Sequence, residues 1–238
     1  MFDLIALDAD DTLWHNEQLY HDARERFRQI MADYEVNGSI DERADHLEVA
    51  NIEFYGYGVM SFILSLIEAG LDLTGDRLRG HDVRALMDLG KAMLTAEVQL
   101  YQTTEDVVAR LSEKYTLMVI TKGDLLHQRN KVIRSGLHDY FGFVEVLSHK
   151  RPQDYAEILA RYEVAPERFL MVGNSMRSDI LPVVELGGWA IHVPSKNTWA
   201  HEVAELPDDY KGRVFEAATL ADVPDLIKRV EAEASTAR

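Results

Sequence analysis

The chain has 238 residues with 47% hydrophobic composition, enough for one large domain or a core carrying an insert. Its 25 lysines and arginines against 41 aspartates and glutamates give a formal charge of −16, which opposes binding to a nucleic acid polymer or an anionic membrane, so an anionic substrate must meet a locally positive pocket. The lack of cysteine excludes disulfides, thiolate nucleophiles and zinc–cysteine sites; with no apolar run of about 18 residues and no charged leader before the first strand, the expected location is cytoplasmic.

The first predicted element is the run Leu4-Ile5-Ala6-Leu7, which ends in Asp8-Ala9-Asp10-Asp11-Thr12-Leu13. A short apolar run bounded by polar residues predicts a fully buried strand. Residues two apart on extended backbone share a side, so Asp8 and Asp10 converge where the strand ends. Ligand sites of open α/β sheets lie at such carboxyl ends. Two carboxylates there fit a metal site, a nucleophile with an acid/base partner, or both; the plainer alternative is an acidic loop capping a helix.

Residues 17–100 read as helices. Leu19, Ala23, Phe27, Ile30 and Tyr34 recur every three to four positions, as do Val59, Phe62, Ile63, Leu66 and Ile67, then Val83, Leu86, Met87 and Met93. Gly70 and Gly75 are expected at turns, while Gly56 and Gly58 interrupt the pattern beside Phe54, Tyr55 and Tyr57, aromatics whose ordinary place is a core. From residue 101 the pattern alternates. A helix opened by Thr103 or Thr104 is followed by strands at 116–121, 143–147, 169–172 and 189–193 and a weak one at 214–215. Between them lie helices, one with Pro152 near its start and one closed by Gly187; a last helix is capped by Asp222, and 234–238 look frayed. Such alternation predicts a mostly parallel, Rossmann-like α/β sheet covered on both faces. The expected division is an α/β core of 1–15 and 101–238, interrupted by an α-helical domain at 16–100.

Four predicted strand ends carry the groups phosphoryl chemistry needs. They are Asp8 with Asp10, Thr121 in Val119-Ile120-Thr121-Lys122-Gly123-Asp124, Lys150 ahead of Arg151-Pro152, and the turn Gly173-Asn174-Ser175-Met176-Arg177-Ser178-Asp179. Each alone is weak, but their order after successive strands resembles the haloacid dehalogenase-like hydrolase superfamily, a group dominated by magnesium-dependent phosphatases, over nearly the whole chain. Its pattern D-x-D-x-T-L stands here as Asp8-Ala9-Asp10-Asp11-Thr12-Leu13. The second-motif threonine falls on Thr121, the third-motif lysine on Lys150 and the fourth motif on 173–179, and the insert is similar to that family's helical cap.

The resemblance implies that Asp8 attacks phosphorus and becomes an aspartyl phosphate. Asp10 would protonate the leaving oxygen and then activate water, its proton affinity raised by burial near other carboxylates. Thr121 and Lys150 would hold phosphoryl oxygens. Mg2+ would sit on the Asp8 carboxylate, the Asp10 backbone carbonyl and a fourth-motif oxygen from Asn174 or Asp179, and Thr12 would tie the turn together. Two positions depart from the family: Asn174 stands where aspartate is common, and Lys122 stands where asparagine or serine is frequent. Lys122 is either solvated or reaches a second anionic group on the substrate. The cap would close over the core on hinges near 14–17 and 100–103, with contacts from Trp14, His15, Asn16, Tyr55 and Tyr57. The substrate class implied is a small phosphorylated metabolite, a nucleotide or a sugar or acid phosphate, with monomer and homodimer both open. Asp10 favours phosphate ester hydrolysis over a hydrolytic 2-haloacid dehalogenase, which needs no acid for a leaving alkoxide. The third reading is a non-catalytic relative that serves a partner protein.

Overall fold

A computed structural model describes residues 2–195 and 199–236. It resolves into two compact units, Met1–Glu17 with Val98–Arg238, and Gln18–Glu97. The first strand, β1 (Leu4–Leu7), carries only apolar side chains and all four are buried. The helices α1 (Glu17–Met31), α2 (Ile40–Tyr55), α3 (Val59–Thr74) and α4 (Gly80–Thr95) follow it. Then come α5 (Thr104–Ser112), β2 (Leu117–Lys122), α6 (Leu125–Arg134), β3 (Phe143–Leu147), α7 (Pro152–Arg161), β4 (Phe169–Gly173), α8 (Leu181–Glu185), β5 (Trp189–His192), β6 (Val214–Glu216) and α9 (Val223–Thr236).

The six strands form one parallel sheet of order β3-β2-β1-β4-β5-β6. Leu7 at the end of β1 pairs with Val119 of β2 on one side and Val172 of β4 on the other. Successive side chains go to opposite faces. Ile5, Leu7, Val119 and Val172 pack with Val108 of α5, Val132 of α6 and Ile227 of α9. Ala6, Met118, Ile120 and Met171 pack on the other face with Tyr155 and Ile158 of α7 and Val183 of α8. A strand covered on both faces needs an unbroken apolar run, which is the pattern in β1, in residues 117–120 of β2 and in residues 169–172 of β4. The strand order reverses beside β1, so the carboxyl ends of β1 and β4 border the crevice where doubly wound sheets bind ligands.

The helical unit has its own core, built on Phe27, Phe62, Leu66 and Leu86. Gly75 ends α3 in the left-handed region at φ 61°, as expected for a turn. Gly70 is not a turn residue: it lies inside α3, and a Cβ there would come within 3.0 Å of Leu78 Cδ2, so its role is close packing. Phe54 and Tyr55, in the last turn of α2, are 74% and 54% exposed and are likewise not core.

Helix α5 opens where expected, with Thr103 as its N-cap residue and Thr104 as its first helical residue, whose Oγ1 donates to Leu13 O at 2.8 Å. Two further expectations are corrected. Asp222 reaches back 2.9 Å to the Thr219 N–H, closing the turn before α9. Of the stretch expected to fray, 234–236 continue α9, and 237–238 lie outside the described residues. The segments flanking the helical unit pair briefly, with His15 N donating to Gln99 O at 3.0 Å and Tyr101 N to Leu13 O at 3.2 Å. Among the described residues no helix is long and apolar enough to cross a membrane.

Candidate active site

Asp8 is the first residue past β1, and its N–H still donates to Val172 O at 2.9 Å, which fixes the backbone against β4. Lys150, just past β3, donates to Asp8 Oδ1 at 2.5 Å and to Asp179 Oδ1 at 2.7 Å. Thr12 Oγ1 donates to Asp8 Oδ2 at 3.0 Å, and Ser175 N donates to Asp179 Oδ2 at 2.9 Å. Asp8, Lys150 and Asp179 are all buried. One ammonium between two buried carboxylates leaves a negative charge unbalanced. Burial and then Asp179 push the Asp8 carboxyl up to about 7, against the downward pull of Lys150. Burial pulls Lys150 down, but the two carboxylates outweigh it and hold the ammonium well above its ordinary range. Gly173 closes β4 because a Cβ there would fall on the Asp179 side chain.

The Asn174 amide faces a ring of oxygens. With its nitrogen inward, Nδ2 donates to Asp10 O and Thr12 Oγ1, each at 3.2 Å, and to Asp8 Oδ2 at 3.3 Å. Turned over, the same amide sets an oxygen beside one carboxylate oxygen and one carbonyl oxygen. That all-oxygen cluster with unbalanced negative charge fits a hard divalent cation such as magnesium. No group of three His, Cys, Asp or Glu gathers as a metal site among the described residues, so the donors on offer are one carboxylate, one backbone carbonyl and one amide. Both oxygens of Asp179 are engaged by Lys150 and Ser175, which leaves Asn174 as the fourth-motif residue turned toward Asp8. His192 Nε2, 3.0 Å from Asn174 O, holds that turn from β5.

Asp10 has different company. Its Oδ1 accepts from Trp14 Nε1 at 2.6 Å and pairs with Lys131, and its Oδ2 accepts from Gln128 Nε2 at 2.9 Å. Gln128 Nε2 also reaches Thr121 Oγ1 at 2.8 Å and Lys122 O at 2.6 Å. The expected rise in Asp10 proton affinity is overturned: burial does act to raise it, but Lys131 and then the neutral donors prevail and lower it. The helix-capping role left open for this loop belongs to Asp11, whose carboxylate accepts from Asn16 N at 3.1 Å and Glu17 N at 3.0 Å.

The expected substrate contacts sort differently. Trp14 is 1% exposed and packed in the core, so it supports Asp10 and does not offer a surface to a ligand. Asn16 Oδ1 is engaged by Lys131 Nζ at 2.8 Å. His15 is exposed, its ring centroid 4.1 Å from that of Tyr101. Tyr55 and Tyr57 belong to the helical unit. Lys122 is not a solvated lysine: it donates to Glu202 Oε1 at 2.5 Å and Ser178 Oγ at 2.8 Å. Glu202 Oε2 in turn accepts from Ser175 Oγ and Ser178 Oγ, each at 2.5 Å. Burial would raise Glu202, but Lys122 and the two serines bring it down to about 2.

Gln128, Lys131 and Glu202 are site residues that sequence reasoning missed. Gln128 and Lys131 had a faint signal: they sit three apart on the inward face of α6 beside Val132, where apolar residues belong. Glu202 lies in a short 3-10 turn with no pattern to mark it.

The sequence model of the haloacid dehalogenase-like hydrolase family matches residues 2–187. A crystal structure of a haloacid dehalogenase-like family hydrolase from Xanthomonas campestris superposes with a TM-score of 0.89 at 34% identity, covering 100% of this chain and 95% of that one. A glyceraldehyde 3-phosphate phosphatase of Methanothermobacter thermautotrophicus is 36% identical over 103 residues, which is 41% of this chain and 46% of that protein. The chain thus spans about half the length of that relative. A protein of the same name in Methanopyrus kandleri is 26% identical over 188 residues, 76% of this chain and 78% of that one.

Proposed function

Because the chain belongs to the haloacid dehalogenase-like hydrolases, we propose that it is a magnesium-dependent phosphate monoester hydrolase that works through an aspartyl phosphate on Asp8. The observation that carries this reading is the pairing of two carboxylates at the end of β1 with opposite surroundings. Asp8 faces Lys150 and the Asn174 amide, and Asp10 is held by its own set of donors. The names of the relatives support a phosphatase, and the substrate in those names falls within the small sugar and acid phosphates. A nucleotide stays within the proposed class.

Ionised Asp8 attacks phosphorus, and the bond from phosphorus to the leaving oxygen breaks as Asp10 delivers a proton to that oxygen. Asp10 then takes a proton from water whose oxygen attacks the phosphoryl group and frees Asp8. In the free chain Asp10 is ionised, which suits the second step. The negative charge of a bound phosphate beside it raises its proton affinity for the first. Lys150 and the Thr121 hydroxyl bind phosphoryl oxygens. Since Gln128 donates to Thr121 Oγ1, the hydroxyl's own proton is left for the ligand. The Asp8 carboxylate, Asp10 O and Asn174 Oδ1 would hold the magnesium ion, which when bound offsets charge on the phosphoryl group and around Asp8.

The test is phosphate release from p-nitrophenyl phosphate with and without magnesium, for the wild type and Asp8→Asn, beside halide release from 2-haloacids. The expected result is magnesium-dependent turnover that falls by roughly 10⁴ or more in the variant, with no halide released. Equal turnover in the variant, or halide release without magnesium, overturns the reading.

A further inference from the structure

We propose that Lys131 and Gln128, three residues apart on the inward face of α6, are positioning residues that aim the Asp10 carboxylate at the leaving-group oxygen. The inference rests on the reading of Asp10 as the proton donor. Asp10 sits on a loop past β1, where a carboxylate is free to rotate unless both oxygens are held. Here Oδ1 is held by Trp14 Nε1 and Lys131, and Oδ2 by Gln128. The donors come from the loop itself and from a helix on a different strand connection, so rotation of the carboxylate breaks contacts to two elements at once.

Lys131 is built into this place. A lysine ordinarily extends its ammonium into water, yet this side chain is 7% exposed. The ammonium lies between Asp10, Asn16 Oδ1 at 2.8 Å and the Trp14 ring, 5.9 Å from its centroid. Taking a charge out of water is costly, so a site that keeps one does so for a specific partner. Gln128 shows the same commitment: its Nε2 is shared among Asp10, Thr121 and Lys122, while its Oε1 is buried without a hydrogen-bond partner. The amide is oriented by what its nitrogen must reach, and it joins the proton-donor carboxylate to the hydroxyl proposed to bind phosphate. Asp124, which accepts from His127 N at 2.8 Å as the N-cap of α6, fixes the first turn of the helix that carries both.

A positioned acid matters most when the leaving oxygen is strongly basic. Loss of positioning therefore scales with the leaving group, whereas a merely structural defect lowers activity on all substrates alike. The experiment compares kcat/KM on an alkyl phosphate, glycerol 1-phosphate, and on p-nitrophenyl phosphate for the wild type, Asp10→Asn, Lys131→Met, Lys131→Arg and Gln128→Leu. Lys131→Met should lose on the order of 10²-fold on the alkyl ester but only a few-fold on the aryl ester, as Asp10→Asn does more severely. Lys131→Arg should recover part of the alkyl activity. Gln128→Leu tests the second anchor should Lys131→Met fail to fold. If the α6 variants lose equally on both esters, or not at all, while Asp10→Asn keeps its leaving-group dependence, the positioning role is wrong and the reading of Asp10 stands. If Asp10→Asn itself loses equally on both, both fall together.

Discussion

Asp8→Asn should abolish turnover and stabilise the metal-free protein. Asp8 titrates near 7 in the folded chain against an ordinary 3.8, because it is buried beside Asp179 with one lysine shared between them. Each pK unit is about 1.36 kcal/mol, so keeping Asp8 ionised above neutrality costs the folded state roughly 4 kcal/mol. The folded chain holds this proton more tightly than the unfolded one does. The penalty is therefore absent below about pH 4, grows as pH rises from about 4 to about 7, and is complete above that. Asparagine removes the charge and still accepts from Lys150, though it gives up part of a charged hydrogen bond worth about 1.5–3 kcal/mol. The net gain at pH 8 is about 1–3 kcal/mol, or roughly 2–10 °C in the melting temperature. Trp14, Trp189 and Trp199 all lie in the sheet-containing unit, so tryptophan fluorescence in the presence of a chelator reports that unit alone. The variant should melt higher at pH 8, by a margin that shrinks toward pH 5 and closes when magnesium is added to the wild type. A variant no more stable at pH 8, or a margin independent of pH, refutes the argument.

Three further outcomes follow from the same contacts. Lys150→Met leaves Asp8 and Asp179 buried without their shared cation and should destabilise the sheet unit by about 3–5 kcal/mol, with Asp179→Asn in the same chain recovering most of it in urea unfolding. Gly173→Ala places a methyl on the Asp179 side chain and should cost about 1–3 kcal/mol by the same measurement, together with activity, since Asp179 positions Lys150. Glu202, held near 2 against an ordinary 4.5, adds stability that is complete above about pH 4.5 and is lost as pH falls from there toward 2. Glu202→Gln should be less stable at neutral pH by about 1–3 kcal/mol and should lose that acid dependence, and parallel stability curves for the two proteins would contradict the pairing.

What could be read in advance was whatever a strand end declares locally. The apolar run of β1 placed Asp8 and Asp10 together, and Thr121 and Gly173 stand at the ends of buried apolar runs in β2 and β4, whereas Lys150 follows β3, an edge strand whose residues are exposed or half-buried. Register between strands, which brings Lys150 past β3 to Asp8 past β1 across the intervening β2, is a tertiary fact, and it was the resemblance of the four motifs to a known family that suggested it. The surroundings of Asp10 were not legible, because they depend on which face α6 turns inward and on Trp14 folding back four residues to its own loop. Lys122 shows the same limit. Its position after Thr121 was plain, but its partner Glu202 lies 80 residues away in a short turn, and nothing local distinguishes a lysine awaiting an anion from one already paired.

Asp8 and Asp10 are two residues apart, yet their proton affinities move in opposite directions, and the difference lies in how many cations each can claim. Lys131 has Asp10 as its carboxylate partner, whereas Lys150 is divided between Asp8 and Asp179. Three carboxylates against two lysines leave one negative charge, and it falls at Asp8, where Asn174 offers an amide in place of the usual carboxylate. A fourth-motif aspartate at position 174 would add a second unbalanced charge to the same spot. Asparagine thus avoids a second unbalanced charge beside Asp8 while offering an amide oxygen to the magnesium ion proposed there. Asn174→Asp should therefore tighten magnesium binding while lowering the chelated protein's stability, and a variant that does neither would show that the charge at Asp8 is balanced in another way.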